Sequence, residues 1–143
     1  MTDAPRAGAQ RRQDTEHRLT HDIDVWVASA SPEGGPYLTP LSFDWDGEAL
    51  LVATPADSPT GRNLAATGTA RLGLGHTRDV SMIEGDVEVL EIDALPQERG
   101  DRFAAHTGFD PRALATPCRT AGSASPRVAS RRGARWTSWP TAS

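Results

Sequence analysis

The chain has 143 residues, with 15 arginines, no lysine, one cysteine (Cys118) and a formal net charge of −4. This length fits one domain with a sizeable core, and the acidic balance argues against a general nucleic-acid surface. The missing lysine excludes Schiff-base chemistry, and a single cysteine excludes an internal disulfide or a cysteine-based zinc cluster. Because the chain shows neither a membrane-spanning apolar run nor the apolar stretch of a secretory signal, we expect a cytoplasmic protein.

Charge is distributed unevenly along the chain. Residues 1–117 contain all 19 acidic residues and ten arginines, whereas residues 118–143 contain five arginines and no acidic residue. The same C-terminal stretch shows neither helical nor strand periodicity. We therefore predict a polar N-terminal arm (1–21, either frayed or a short helix), a central domain (22–117) and a basic, disordered tail (118–143).

The first three predicted elements of the central domain are strands. Residues 22–31 are apolar and β-branched and end at the turn "PEGGP", which is typical of a strand before a reversal. The stretch "PYLTPLSFDW" (36–45) alternates, and Asp46-Gly47 is a strong hairpin signal. The partner strand of this hairpin is predicted over residues 48–55.

A short helix is predicted over residues 58–68. Ser58 suits the N-cap, Pro59 suits the first helical position, and Gly68 marks the end. This helix separates the third predicted strand from the fourth.

Two more strands and a helix complete the predicted domain. The strands cover 69–76 and 79–91, with a bulge or tight bend at Gly85, and the helix covers 95–108 with Phe103 on its apolar side. Five strands with short connections predict an antiparallel barrel of Greek-key type, since the helices are too few to cover a parallel sheet. Two tryptophans are predicted to fill this barrel, Trp26 and Trp45.

This order of segments resembles the flavin-binding split barrels of the pyridoxamine 5′-phosphate oxidase superfamily, and more narrowly its short actinobacterial members that bind FMN or the deazaflavin coenzyme F420. The stretches behind the resemblance are "PYLTPLSF", "LLVAT", "SPTGRNL", "ARLGLG" and "RDVSMIEGDVEVLE", within residues 17–117. The resemblance implies a mainly β split barrel and an FMN-dependent oxidoreductase acting on a small molecule that the sequence does not identify.

In that family, the end of the third strand and the turn after it form the pocket for the cofactor phosphate. The resemblance thus implies hydroxyl donors on the turn, a close backbone approach at Gly61, and a full positive charge from Arg62. Many members have lysine where this chain has Thr60, so Arg62 must compensate. The alternative is an ordinary capped helix with a solvated Arg62. The residues assigned to this pocket are Thr54, Ser58, Thr60, Gly61, Arg62 and Asn63.

The resemblance also places the second strand beside the isoalloxazine ring. Its backbone N–H and C=O groups would face the pyrimidine edge, Thr39 and Ser42 could hydrogen-bond the ring, and Pro40 leaves one N–H out of the ladder. The alternative is that this strand contributes only core and rim residues.

Other chemistry finds little support in the sequence. The four histidines are too scattered to predict a metal site, and no Ser-His-Asp constellation stands out. A flavoprotein needs few acid–base residues, because the cofactor supplies the chemistry. The alternatives to an FMN oxidoreductase are a deazaflavin-dependent reductase, a non-catalytic flavin or haem module, or an inactive remnant. FMN ranks first because the long anionic tail of the deazaflavin favours a more basic groove than three nearby arginines provide; these are Arg62, Arg71 and Arg78.

The C-terminal tail departs from the family pattern. Similar proteins continue after "GFDPR" (108–112) with another strand and a helix, which this chain lacks. Reading GC-rich codons for residues 118–142 two bases later can restore that pattern, so we hypothesise that the chain is out of frame after about Pro117. The barrel is then expected to lack its closing strand and to leave an unpaired edge. A basic tail recruited for anionic partners is the alternative.

Finally, the resemblance implies a homodimer with cofactor at the interface. An open split barrel has edges that need covering, and the stretches 79–90 and 36–43 are candidate surfaces. A two-fold dimer with two equivalent sites is expected.

Overall fold

The structure is a computed structural model, which describes residues 8–113, 118–123 and 137–138. Its helices are α1 (Gly8–His21), α2 (Pro59–Thr67) and α3 (Gln97–Thr107), with 3-10 turns at Ile92–Ala94 and Pro111–Ala113. Its strands are β1 (Asp24–Ala30), β2 (Pro36–Trp45), β3 (Leu50–Pro55), β4 (Thr69–Leu74), β5 (Ser81–Glu91), β6 (Cys118–Ser123) and β7 (Thr137–Ser138).

The described strands form a sheet that closes on itself. Their order is β4-β1-β2-β3-β6-β5, and β5 also pairs with β4, while β7 adds to β5. All of these pairings are antiparallel. The prediction of a mainly β, antiparallel split barrel is therefore confirmed.

The core fills the inside of the barrel because alternate residues of each strand point inward. Phe43 of β2 is fully buried, and Leu64 of α2 closes one end. On the opposite face of β3, Leu51 packs against Leu95 and the α3 residue Phe103. The main cluster comprises Leu19, Val25, Val27, Phe43, Leu50, Val52, Leu64, Leu72, Leu74 and Ile83.

The predicted boundaries of α2 are confirmed by its caps. The Ser58 side chain accepts a hydrogen bond from the backbone N–H of Gly61 at 3.0 Å, and Pro59 is the first helical residue. Gly68 ends the helix in the left-handed conformation (φ 68°) and donates its N–H to the carbonyl of Leu64. These are the roles that the residue types predict.

The β2–β3 hairpin turns where Asp46-Gly47 predicts it. Gly47 has φ 100°, a conformation that few side chains tolerate. The Asp46 carboxylate accepts hydrogen bonds from the backbone N–H groups of Glu48 and Ala49 at 2.8 and 2.7 Å. Across the turn, Arg99 of α3 lies 3.1 Å from the same carboxylate.

Asp46 should make part of the stability of the fold acid-sensitive. Burial raises its pKa, but the two N–H donors and the nearby Arg99 and Arg102 outweigh burial, so the pKa lies below its ordinary value of 3.8. A depressed pKa gives stability that is complete above the unfolded value and is lost as pH falls through the folded value. Asp46→Asn should therefore be less stable than the parent at pH 7 and lose less stability between pH 7 and about pH 3.

Urea unfolding at the two pH values measures both effects. Asp57→Asn, at an exposed position of the β3–α2 turn, is the matched control and should behave like the parent. An equal loss of stability on acidification in Asp46→Asn and the parent would show that the lowered pKa of Asp46 does not contribute to the stability of the fold.

Two sequence predictions are wrong in detail. The register of β4 with β5 runs without interruption through the Ala70–Gly85 pair, so the bulge predicted as one alternative at Gly85 is wrong. The other alternative, a tight bend, stays a prediction, and β5 changes partner from β4 to β6 after Asp86. Trp26 does not fill the barrel. It is 50% exposed, because its β1 neighbours Val25 and Val27 take the inward positions.

The N-terminal segment forms a helix over the described part, residues 8–21. Leu19 is buried in the main core. Arg18 donates from its two terminal nitrogens to the Ser81 hydroxyl at 2.7 Å and to the Asp79 carboxylate at 2.9 Å. Thr15 and Ser81 are buried with their hydroxyls 2.9 Å apart. The last two turns of α1 are therefore anchored to the β4–β5 edge.

The closing strand, which was expected to be absent, is present in the structure. β6 (Cys118–Ser123) pairs with β3 on one side and β5 on the other. The prediction that the barrel lacks its closing strand is therefore wrong for these six residues, while most of the predicted tail lies outside the described residues. Among the helices that the structure describes, none has the length and apolar character needed to cross a bilayer.

Candidate functional site

Strands β2 and β3 diverge shortly after their hairpin. They pair only over three residue pairs, the last being Phe43 with Val52. Beyond it, residues 36–42 of β2 continue along β1, whereas β3 continues along β6. No strand in the described ranges pairs with the other edge of residues 36–42. We call the opening between the diverging strands the β2–β3 cleft; its β2 side has backbone N–H and C=O groups free of the ladder.

Helix α2 lies at the end of this cleft. It starts four residues after β3 ends, and its buried Asn63 donates from the side-chain amide to the Ser29 hydroxyl of β1 at 3.2 Å. Ser29 faces Tyr37 of β2 in the register. Asn63 thus fixes α2 against the β1–β2 pair, which is a structural role beside any contact with a ligand.

The hydroxyl groups of the β3–α2 turn are directed at the protein itself. Ser58 donates to the carbonyl of Pro55 at 2.7 Å and accepts from Gly61 N–H. The hydroxyl oxygens of Ser58 and Thr54 lie 2.9 Å apart. Because Ser58 already donates its hydroxyl proton to the carbonyl of Pro55, Thr54 is the donor in the bond between the two hydroxyls. These two hydroxyls close the helix N-terminus and have no proton left for a phosphate oxygen.

Packing within the protein explains why residue 61 is glycine, without any ligand. A Cβ atom at this position would lie 2.3 Å from the carbonyl oxygen of Pro55 and 3.1 Å from that of Ala56. The first turn of α2 therefore lies so close to the end of β3 that only glycine fits at position 61. The predicted close approach to a cofactor stays a prediction.

The next two polar residues of the turn differ in exposure. Thr60 is 1% exposed, and its hydroxyl oxygen is buried with no hydrogen-bond partner. Arg62 is exposed on the first turn of α2 and has no acidic partner within the described part of the chain. The turn therefore presents one free guanidinium, with a buried, unsatisfied hydroxyl two residues before it.

The predicted ring-contacting residues of β2 lie on two faces. Thr39 opposes Val27 and takes the inward side, whereas Pro40 opposes the exposed Trp26. Ser42 shares the outer face with Pro40 and donates to Asp24 at 2.9 Å. A planar group could therefore meet all three only by approaching the strand edge-on, along its backbone.

Two histidines that the sequence predictions treated as scattered form a pair on α1. His17 and His21 are four residues apart on α1, and their rings stack with centroids 4.1 Å apart. The H-x-x-x-H spacing was visible in the sequence and could have identified the pair. His106 of α3, by contrast, lies 2.8 Å from the backbone oxygen of Asp22 through Nε2. Within the residues that the structure describes, no three His, Cys, Asp or Glu side chains are grouped to hold a metal ion.

Comparison with known proteins identifies the fold family. The sequence model of the pyridoxamine 5′-phosphate oxidase family matches residues 16–131, so the match extends beyond the residues 17–117 in which the resemblance was found. No curated protein matches the sequence.

Several solved structures share the fold. An F420 reductase is 18% identical with TM-score 0.61, covering 77% of this chain and 91% of its own. A pyridoxamine 5′-phosphate oxidase-related, FMN-binding protein from Nostoc punctiforme PCC 73102 is 15% identical with TM-score 0.53. The match covers 87% of this chain and 83% of the Nostoc protein. A heme binding protein from Mycobacterium smegmatis is 14% identical with TM-score 0.57. The match covers 85% of this chain and 52% of the Mycobacterium protein.

The closed antiparallel barrel and its cleft define a split-barrel protein. The chain belongs to the pyridoxamine 5′-phosphate oxidase family. Its structural neighbours include proteins named for F420, FMN and heme.

Proposed function

We propose that the protein binds FMN in the β2–β3 cleft and acts as a flavin-dependent oxidoreductase on a small molecule. The observation behind this proposal is the unpaired edge of residues 36–42 beside the N-terminus of α2. A flat heterocycle with donors and acceptors along one side can complete such an edge. Arg62, exposed at the same end, supplies the charge for a phosphate.

The chain's own residues bind and orient the cofactor. The β2 backbone would hold the pyrimidine side of the ring, and the partial positive charge of the α2 N-terminus would add to Arg62 at the phosphate. A bound flavin supplies hydride transfer. Of the donors first assigned to the phosphate, Thr54 and Ser58 act through the shape of the turn, because their protons are already used.

The charge around the cleft supports FMN over a deazaflavin with a long anionic tail. Of the three arginines considered from the sequence, Arg71 is paired with Glu84 at 2.9 Å. Arg62 and Arg78 are exposed, with no acidic partner in the described chain. Arg78 lies on the β4–β5 turn, so Arg62 is the free cation at the α2 end of the cleft, and a single cation there suits a phosphomonoester better than an extended polyanion. Mass spectrometry of the molecule released by heating the purified protein distinguishes FMN, deazaflavin, haem and no cofactor.

A second copy of the chain is the proposed partner. Trp26 and Leu38 are 50% and 62% exposed on the outer face of β1 and β2, where they flank Pro40. An exposed apolar patch of this kind favours association, and a two-fold dimer would bring two β2 strands together. A mass of about 30 kDa by light scattering is expected, twice the 15.3 kDa of the chain.

Arg62→Ala should weaken FMN binding without unfolding the protein. Loss of one charge-assisted contact costs about 1.5–3 kcal/mol, which corresponds to roughly a 10- to 150-fold rise in Kd. Fluorescence titration of FMN into cofactor-free protein measures the change. Arg78→Ala removes another exposed arginine, from the β4–β5 turn, and should have a smaller effect. Unchanged affinity in Arg62→Ala would refute the phosphate assignment.

A further inference from the structure

We propose that His17 and His21 form a binding site for a divalent transition-metal ion on the surface of α1. Both side chains are exposed, and the four-residue spacing puts them on one face of the helix. Their ring centroids are 4.1 Å apart with an interplanar angle of 25°. Two histidines at this spacing on a helix are a known arrangement for metal chelation.

The hydrogen bond of His21 leaves a ring nitrogen available for the ion. Its Nδ1 lies 2.8 Å from the backbone oxygen of His17. Because a carbonyl oxygen can only accept, Nδ1 has the proton and Nε2 keeps its lone pair. Metal-binding histidines commonly have their second nitrogen fixed to a backbone carbonyl in this way. His21 is thus in the tautomer that a ligand needs, and chelation requires the two stacked rings to rotate until both lone pairs converge on one ion.

The turn that contains the two histidines is held rigidly. Between them, Leu19 is buried in the core and Arg18 is bonded to Asp79 and Ser81. The pair also occupies the last turn of α1, which ends at His21. The negative end of the helix dipole lies there and favours a bound cation. The backbone that carries the two histidines is therefore anchored before an ion binds, so binding restricts only the two side chains.

The ligand set determines the class of metal. Imidazole nitrogen suits Cu²⁺, Ni²⁺ and Zn²⁺, whereas Mg²⁺ and Ca²⁺ require oxygen ligands. Since no third His, Cys, Asp or Glu joins the pair in the described chain, water completes the coordination. Ni²⁺ is the suitable probe because it ranks directly below Cu²⁺ in affinity for such ligands and, unlike Cu²⁺, does not oxidise thiols.

Calorimetric titration of tag-free, full-length protein with Ni²⁺ tests the proposal. The expected result is one chelated ion per chain, reversed by EDTA, with no comparable binding of Mg²⁺. At free Ni²⁺ ten times the dissociation constant, the thermal midpoint should rise by roughly 5 °C, because the ion binds only the folded helix. His17→Gln and His21→Gln should each abolish this binding and the thermal shift, while His76→Gln, at an exposed loop position, should retain both.

A rescue variant separates chelation from a general effect on the helix. Gln13 is exposed one turn before His17, so Gln13→His in the His21→Gln background restores a pair four residues apart. This variant should recover Ni²⁺ binding. Binding that survives in both single variants, or that the rescue variant does not recover, would overturn the proposal, as would the absence of binding by the parent protein.

Discussion

Phe43→Ala is expected to lower the free energy of unfolding by about 3–5 kcal/mol, a large fraction of the stability of a domain this size. Phe43 is completely buried in the main core. Its ring also meets the edge of His106 at a centroid distance of 6.4 Å. Truncation removes the transfer free energy of the ring and leaves a cavity that the surrounding strands cannot close.

The position of Phe43 enlarges this effect. It forms, with Val52, the last pair before β2 and β3 diverge, so a cavity there loosens the base of the β2–β3 cleft. Urea unfolding followed by circular dichroism measures the loss. Phe109→Ala is the matched control, because that ring is 40% exposed, and we expect a cost below about 1 kcal/mol. Similar costs for the two variants would contradict the placement of Phe43.

Gly61→Ala is expected to cost about 3 kcal/mol or to prevent folding. The added Cβ would meet the carbonyl oxygen of Pro55 at 2.3 Å. That neighbour is backbone, so relief requires moving the end of β3 or the first turn of α2. Such a shift would break the Ser58 cap, whose acceptor bond comes from the same Gly61 N–H.

A second glycine provides the control for this substitution. Gly73→Ala in β4 would place its Cβ 3.7–3.8 Å from Trp26, Val80 and Met82, which is ordinary contact. It should be neutral or slightly stabilising, since alanine also restricts the unfolded chain. Thermal melts of the two variants compare them directly. A Gly61→Ala protein as stable as Gly73→Ala would show that the turn is not packed as described.

Local sequence information was sufficient for most element boundaries. The caps Ser58 and Gly68 fix α2, and Asp46-Gly47 fixes the hairpin, because these residues act on backbone groups a few positions away. The resemblance to the split-barrel family added the fold, which the family match confirms. It also named the site residues, whose part in cofactor binding stays a prediction.

Strand β6 could not be read from the sequence for a physical reason. Prediction relies on the period of apolar side chains, and residues 118–123 show none. Strand pairing, however, is made by backbone N–H and C=O groups, which nearly every residue has. The free edges of β3 and β5 accept this stretch as a partner. The reading-frame hypothesis concerns the origin of the stretch and is decided by resequencing the gene.

The sequence by itself determined the elements from β1 to α3, the caps of α2 and the turn of the β2–β3 hairpin, because each depends on neighbours close in the chain. Only the tertiary structure decided that β2 and β3 separate after Phe43 and Val52, that Thr39 shares the inward side with Val27 of β1, and that Asn63 of α2 bonds to Ser29 of β1. These features arise from contacts between distant segments and from the twist of the closing sheet, which one-dimensional patterns do not specify.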